Sequence, residues 1–213
     1  MDTFEVIIET PKGQGTKYDF EPLTRQLKLT KVMPSGSVFP FDFGFIPATK
    51  GEDGDPLDVV VIAEVATFPG CKMDCRIIGA LKGQQTERDG KIFRNDRYIA
   101  IPQVSTLYQN IETLKQLPKE IIDQIAAFFI NYNQQAKKQF KMAGKLQAKQ
   151  ANQLVIRNQS KHISADLLVQ FFLPLYDQQG KPFPDHYFNR VKTELTEQFG
   201  GITFYFRSPV LGM

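Results

Sequence analysis

Apolar residues recur along the chain in two rhythms. From Phe4 to about Gln103 they come in short runs: Val6-Ile7-Ile8, Leu27-Lys28-Leu29, Val59-Val60-Val61-Ile62, Cys75-Arg76-Ile77-Ile78 and Tyr98-Ile99-Ala100-Ile101. Runs of this kind, β-branched or alternating, predict strands. Gly and Pro punctuate them at Pro11-Lys12-Gly13, Pro34-Ser35-Gly36, Pro69-Gly70 and Asp89-Gly90, and many short strands at this spacing predict a small barrel or sandwich. At Leu117-Pro118 the rhythm changes. Pro118 is suited to open a helix, Glu120 and Asp123 suit its first turn, and Ile121, Ile122, Ile125, Phe129 and Tyr132 recur at helical spacing. A shorter helix is expected at about 145–156, and Lys137, Lys138, Lys141, Lys145 and Lys149 read as a solvated helix face. Past the polar stretch Asn158-Gln159-Ser160-Lys161 the pattern predicts a strand near 167–172, a turn at 177–180, a helix near 184–199, a stop at Gly200-Gly201 and a strand at 202–206. The expected architecture is α+β, mainly β: one unit over residues 1–160, then a small β-α-β appendix over 164–213.

Composition narrows this picture without redirecting it. The chain has 213 residues, 42% hydrophobic and 23% charged, with a net charge of +3. These are ordinary globular proportions, and no apolar run approaches the ~18 residues a membrane span requires. A soluble protein without a membrane partner is expected. The opening Met1-Asp2-Thr3-Phe4-Glu5 lacks the basic-then-apolar pattern of a secretory signal, so the expectation is a cytoplasmic chain with Cys71 and Cys75 reduced. A structural zinc is not expected: the C-x3-C pair has no second pair, and His162 and His186 lie far along the chain.

The most informative segment is Asp53-Gly54-Asp55-Pro56-Leu57-Asp58, which runs straight into the apolar stretch Val59 to Ile62. Carboxylates crowded beside a buried strand repel one another unless cations neutralise them. Hard oxygen ligands suit Mg²⁺ or Mn²⁺ rather than softer metals. An exposed acidic turn and a calcium loop are the plain alternatives. The calcium loop fails on detail, since with Asp53 at its first position Leu57 falls at the fifth and Asp58 replaces the turning glycine at the sixth.

Around this segment stand Val6-Ile7-Ile8-Glu9-Thr10-Pro11, Thr16-Lys17-Tyr18-Asp19, Phe39-Pro40-Phe41-Asp42-Phe43-Gly44-Phe45-Ile46-Pro47 and Phe128-Phe129-Ile130-Asn131-Tyr132. Over roughly residues 4–160 the chain resembles the family I inorganic pyrophosphatases. The resemblance implies a five-stranded barrel, related in shape to the oligonucleotide-binding barrel, with a packed C-terminal helix and several Mg²⁺ ions at its mouth, Mn²⁺ being a possible substitute. It implies hydrolysis of inorganic pyrophosphate by a metal-activated water, in a homo-oligomer. Asp53, Asp58 and Asp96 would hold the first metals and Asp55 would act as general base. Glu9 and Asp19 would be outer or additional metal-site carboxylates, and Asp89 a further ligand with Glu87 as its competitor. Lys17, Lys31, Arg97 and Tyr132 would bind the two phosphates. Charge neutralisation, water activation and in-line positioning are what this reaction needs, and little covalent chemistry is left for the protein.

Several positions depart from the family pattern. Lys31 stands where many members use arginine, Phe43 where a tyrosine hydroxyl would reach phosphate, and Asn133 follows Tyr132 where lysine is common. Arg94-Asn95-Asp96-Arg97 differs by about one position from the usual acid-x-basic spacing, so a bulge would be needed to aim Asp96. These departures keep open a catalytically silent relative with a binding or regulatory role. A nucleic-acid-binding barrel, using the basic run and Phe39, Phe41, Phe43 and Phe45, is the other rival; Asp42, Asp53, Asp55 and Asp58 in the same region would repel phosphate, so no nucleic acid partner is expected.

Overall fold

The computed structural model describes residues 2–21, 24, 26–159 and 173–199. The strands are β1 (Thr3–Thr10), β2 (Thr16–Glu21), β3 (Gln26–Val32), β4 (Asp42–Ile46), β5 (Leu57–Val61), β6 (Lys72–Thr86), β7 (Ile92–Arg94) and β8 (Arg97–Pro102), followed by helix α1 (Lys119–Gln135), strand β9 (Gln139–Gln147) and helix α2 (Ala148–Asn158). Pairings β1–β4, β4–β5, β5–β8, β8–β6 and β6–β1 return to their starting strand, so five strands close into a barrel. The long strand β6 outruns the ring and also pairs with β7 and β9, while β2 and β3 form a separate antiparallel pair.

Alternation along the ring strands builds two cores. Leu57, Val59 and Val61 join Phe4, Val6, Ile8, Ile77, Tyr98 and Ala100 in one core, which Ala151 and Val155 of α2 also enter. Val60 and Ile62 point to the opposite face, with Ile78, Leu81, Ile99 and Ile101, and there Ile122, Ile125 and Phe129 of α1 cover them. Burial of both faces explains why these strands read as nearly continuous apolar runs. On α1 the buried residues Ile122, Ile125, Phe129 and Asn133 form one stripe, and Ile121 and Tyr132 lie half-buried at its edges. Pro118 stands at the N-cap position immediately before this helix, its fixed φ suiting the helix start.

The helix ends at Ala136, and Lys137 with φ 59 turns the chain at once into β9. The expected solvated basic helix face is therefore corrected: Lys141 and Lys145 lie on a strand, and the second helix starts at Ala148, not near Lys145. Phe140, Met142 and Leu146 turn inward while the lysines turn out, a period-two signal that the four-residue lysine spacing hid.

The chain divides into two compact units, Met1–Ile163 and Ser164–Met213. In the second, Asp177 accepts the backbone N–H groups of Gln179 and Lys181 at 2.9 and 2.8 Å, closing the expected turn, and helix α3 spans Asp185–Phe199. The strands expected at 167–172 and 202–206 and the Gly200-Gly201 stop lie outside the described residues.

Candidate active site

A cavity of about 620 Å³ lies beside α1 and brings together residues far apart in sequence. The loop before β5 makes its acidic wall. Gly51 N–H donates to Asp55 O at 2.7 Å, Gly54 N–H to Gly51 O at 3.2 Å and Asp55 N–H to the Asp53 carboxylate at 3.2 Å. The turn needs Gly54 at φ 93, where an L side chain is strained. Asp58 follows on β5, on the face opposite Leu57 and Val59, so Asp53, Asp55 and Asp58 all line the cavity. Desolvation pushes the carboxyl of Asp53 above its ordinary range, and the charges of Asp58 and Asp55 push it further. Asp58 is raised by burial first and by Asp55 last, against the lowering pull of Arg97 and Lys17. Like-charge crowding of this kind is relieved by a cation.

Facing this wall stand cationic and phenolic groups. Lys17 and Lys31 are register partners on β2 and β3 and both reach the cavity. Lys31 Nζ is buried without a hydrogen-bond partner and lies 4.0 Å over the Tyr132 ring. Its pKa is lowered by desolvation, then by Lys17 and Lys138. A buried ammonium without an acceptor is costly, and an anion in the cavity would satisfy it. Burial pushes the Tyr132 phenol up to about 12, so its hydroxyl remains a donor at neutral pH. Lys17 pairs with Asp19. Arg97 is itself buried, and its Nη1 donates to the side-chain oxygens of Asp58 and Asn95.

The segment 93–98 alternates strictly between two cavities. Phe93, Asn95 and Arg97 line the one just described, whereas Arg94, Asp96 and Tyr98 line a smaller one of about 260 Å³ that also involves Glu52 and Arg157. Asp96, expected to help hold the metals, thus lies on the smaller cavity. No bulge turns it: Gly83 N–H donates to one of its oxygens at 3.1 Å, and Arg94 holds the other through Nε at 2.9 Å and Nη2 at 2.6 Å. Asn95 takes the place facing the carboxylates. Its register is tight, since its N–H donates to Gly83 O at 2.8 Å and a Cβ on Gly83 would strike the Asn95 carbonyl.

Three further carboxylates of the expected set lie outside the cavity lining. Asp89 sits on an exposed turn, paired with Lys91 at 2.8 Å, and that bond lowers its pKa. Asp19 is spent on Lys17, and Glu9, buried and accepting the Phe20 N–H at 2.8 Å, is raised by desolvation and feels the charges of Lys17, Asp58 and Asp55. Between the competitors Asp89 and Glu87, only Glu87 lines the cavity, and its carboxylate is already held by Lys138 at 2.6 Å and by the Gln85 amide at 2.6 Å.

Sequence reasoning passed over Gln85, Asn95, Arg88, Phe129 and Lys138, all of which line the site. For Asn95 the available signal was strand parity with Arg97; for Lys138, the abrupt end of α1. Phe39 and Phe43, with rings 5.6 Å apart, are buried at the cavity's edge and Phe45 is buried in the core, so they form no exposed platform for stacking bases. Among the described residues no helix is long and apolar enough to cross a membrane.

A closed five-stranded barrel with carboxylates on one wall of its cavity and an unpartnered ammonium on another is suited to take up cations and an anion together. The chain is a member of the inorganic pyrophosphatase family, whose model, described as "Inorganic pyrophosphatase", matches residues 6–164. An inorganic pyrophosphatase of Methanosarcina acetivorans is 35% identical over 127 residues, covering 60% of this chain and 73% of the relative. One from Synechocystis is 36% identical over 140 residues, covering 65% and 79%. Among solved structures, the inorganic pyrophosphatase of Thermus thermophilus superposes with a TM-score of 0.67 at 28% identity, over 74% of this chain and 89% of that one. That of Coxiella burnetii gives 0.66 at 30% identity, over 74% and 95%.

Proposed function

We propose that the chain hydrolyses inorganic pyrophosphate to two phosphates with the help of divalent ions, Mg²⁺ in the first place. The observation that carries this reading is the juxtaposition, in one cavity, of Asp53, Asp55 and Asp58 with the unpartnered ammonium of Lys31. The donor set fits a hard cation: the carboxylates are oxygen ligands, and Asp53 and Asp58, raised first by desolvation and further by neighbouring acids, would be eased by a bound cation. Asp53 and Asp58 would hold the metal, which when bound neutralises substrate charge and lowers the pKa of a bound water.

The protein's own groups divide the remaining work. Asp55, exposed in its tight turn, accepts a proton from the attacking water. Lys17, Lys31, Arg97 and the Tyr132 hydroxyl hold phosphate oxygens and fix the substrate in line. Asp96, Asp89, Asp19 and Glu9 are assigned structural pairings instead of the ligand roles the resemblance implied. Family members are named as pyrophosphatases throughout the relatives, and nothing in this site favours a silent role over an active one. We further place the activity in residues 1–160, and the chain in the cytoplasm as a homo-oligomer; the exposed apolar side chains Val32, Val65 and Phe68 support self-association. Phosphate release from pyrophosphate, with and without Mg²⁺ and with ATP as control substrate, tests the reading. Release that needs Mg²⁺ and prefers pyrophosphate is expected; equal release in excess chelator would overturn it.

A further inference from the structure

The two walls of the cavity meet at Arg97. Its Nη1 donates at once to Asp58 and to the Asn95 side-chain oxygen, its guanidinium lies 4.7 Å over the Phe129 ring and 5.2 Å over that of Phe140, and its Nε is buried without a partner. Two aromatic faces and two oxygens therefore fix one positive charge between a carboxylate and an amide. Asp58 is one of the acids the metal reading needs. Asn95, between β7 and β8, is the position from which an acid would complete a cation site with it, because parity sends residues 93, 95 and 97 into the cavity and 96 away. Elsewhere on that wall Gln85 and Asn133 are neutral amides, and the Glu87 carboxylate is neutralised by Lys138. The wall thus offers no free acid, while its cations sit where negative charge must be balanced.

We infer that Arg97 is a built-in cation that takes the place of one divalent ion, and that Asn95 is the residue that sets this substitution. The inference rests on the pyrophosphatase reading and makes the site asymmetric: mobile ions are held by the 53–58 loop alone, and the facing wall meets the substrate with fixed charges. A guanidinium carries one charge where a divalent ion carries two, and it cannot activate water. Its share of the work is to neutralise and orient phosphate through its free donors.

Mn²⁺ alone, added to the metal-free full chain and followed by electron paramagnetic resonance in equilibrium binding, reads this directly. The double variant Asn95→Asp/Arg97→Gln should bind about one more ion per chain than the parent, and Asn95→Asp alone should tighten Mn²⁺ binding roughly tenfold, the scale on which a metal's surroundings act. Thermal melting establishes that each variant is folded, and the single variant, which leaves the stacked guanidinium in place, carries the test if the double variant does not fold. An unchanged ion count and affinity in the folded variants would overturn the inference while leaving the functional reading intact. A parent chain that binds Mn²⁺ as inferred yet releases no phosphate from pyrophosphate would sink the functional reading instead.

Discussion

The loop 53–58 and the segment 85–97 form facing walls of one cavity, yet they hold their charges in different ways. On the loop, three carboxylates are crowded with Arg97 and Lys17 as their cationic neighbours, and Asp53 and Asp58 are raised toward protonation. On the other wall every acid is already committed, Glu87 to Lys138 and Asp96 to Arg94, and the residues that face the cavity are amides and cations. Crowded charge stores repulsion that a ligand can relieve; paired charge stabilises its own strand and has little left to offer a metal.

If the loop does the chemistry, its removal must be felt most. Asp55→Asn should lower turnover by roughly 10²-fold or more, the scale of losing a general base, with the fold retained. Steady-state phosphate release with a melting curve checks it, and near-parental turnover would move the base elsewhere. A smaller effect is expected where a hydroxyl is added between the walls. Phe43 lines the cavity in a cluster with Phe39 and Phe129. Phe43→Tyr should lower KM for pyrophosphate by about tenfold, near the lower end of the ~1.5–3 kcal/mol typical of hydrogen bonds to charged groups. Unchanged kinetics in a folded variant would show that the ring's tip does not meet substrate.

Stability against pH separates the walls in another way. Asp53 and Asp58 have raised folded pKa values, so between the ordinary carboxylate range and those values the folded state binds more protons than the unfolded one. Metal-free stability contributed by these groups is present at the acidic end of that window and is lost as pH rises through the folded pKa values. Mg²⁺, which binds the deprotonated acids, should reverse the slope. Melting temperatures from about pH 4 to about pH 7, with and without Mg²⁺, read this, and identical slopes would mean the loop binds no metal. The smallest effect on activity is expected at the far end of the chain. The family match ends at residue 164 and the second compact unit begins at Ser164, so a chain ending at Gln159 should keep Mg²⁺-dependent hydrolysis while changing in thermal stability or assembly. A folded truncation without activity would place part of the site in the appendix.

The contrast between the walls also marks what was legible in the sequence. The loop could be read because its chemistry is contiguous: three acids, a glycine and a proline ahead of an apolar strand leave few arrangements. The apolar runs of β1, β5, β6 and β8 and the stripe of α1 were equally plain, since burial writes them directly. The reading of the facing wall turns on one residue. Arg97 and Asp96 are neighbours on an extended chain and cannot both face one cavity, so taking Arg97 as a phosphate donor already excluded Asp96 and selected Asn95. The resemblance points to the acid, and parity points to the amide. β9 was missed for the converse reason: its lysines sit four apart, as on a helix, while its inward residues, buried Phe140 and Leu146 with half-buried Met142, keep a period of two.

The measurement that bears most directly on the assignment of the metal to one wall is the Mg²⁺ dependence of pyrophosphate hydrolysis, compared between Asp53→Asn and Asp96→Asn. Loss of a cavity ligand should raise the Mg²⁺ concentration for half-maximal activity roughly tenfold or more in Asp53→Asn. Asp96→Asn, which breaks the Arg94 pairing behind the strand, should melt earlier, by about 1–3 kcal/mol of stability, with its Mg²⁺ dependence unchanged below the melting range. A shift in Mg²⁺ requirement for Asp96→Asn as large as that for Asp53→Asn would contradict the account.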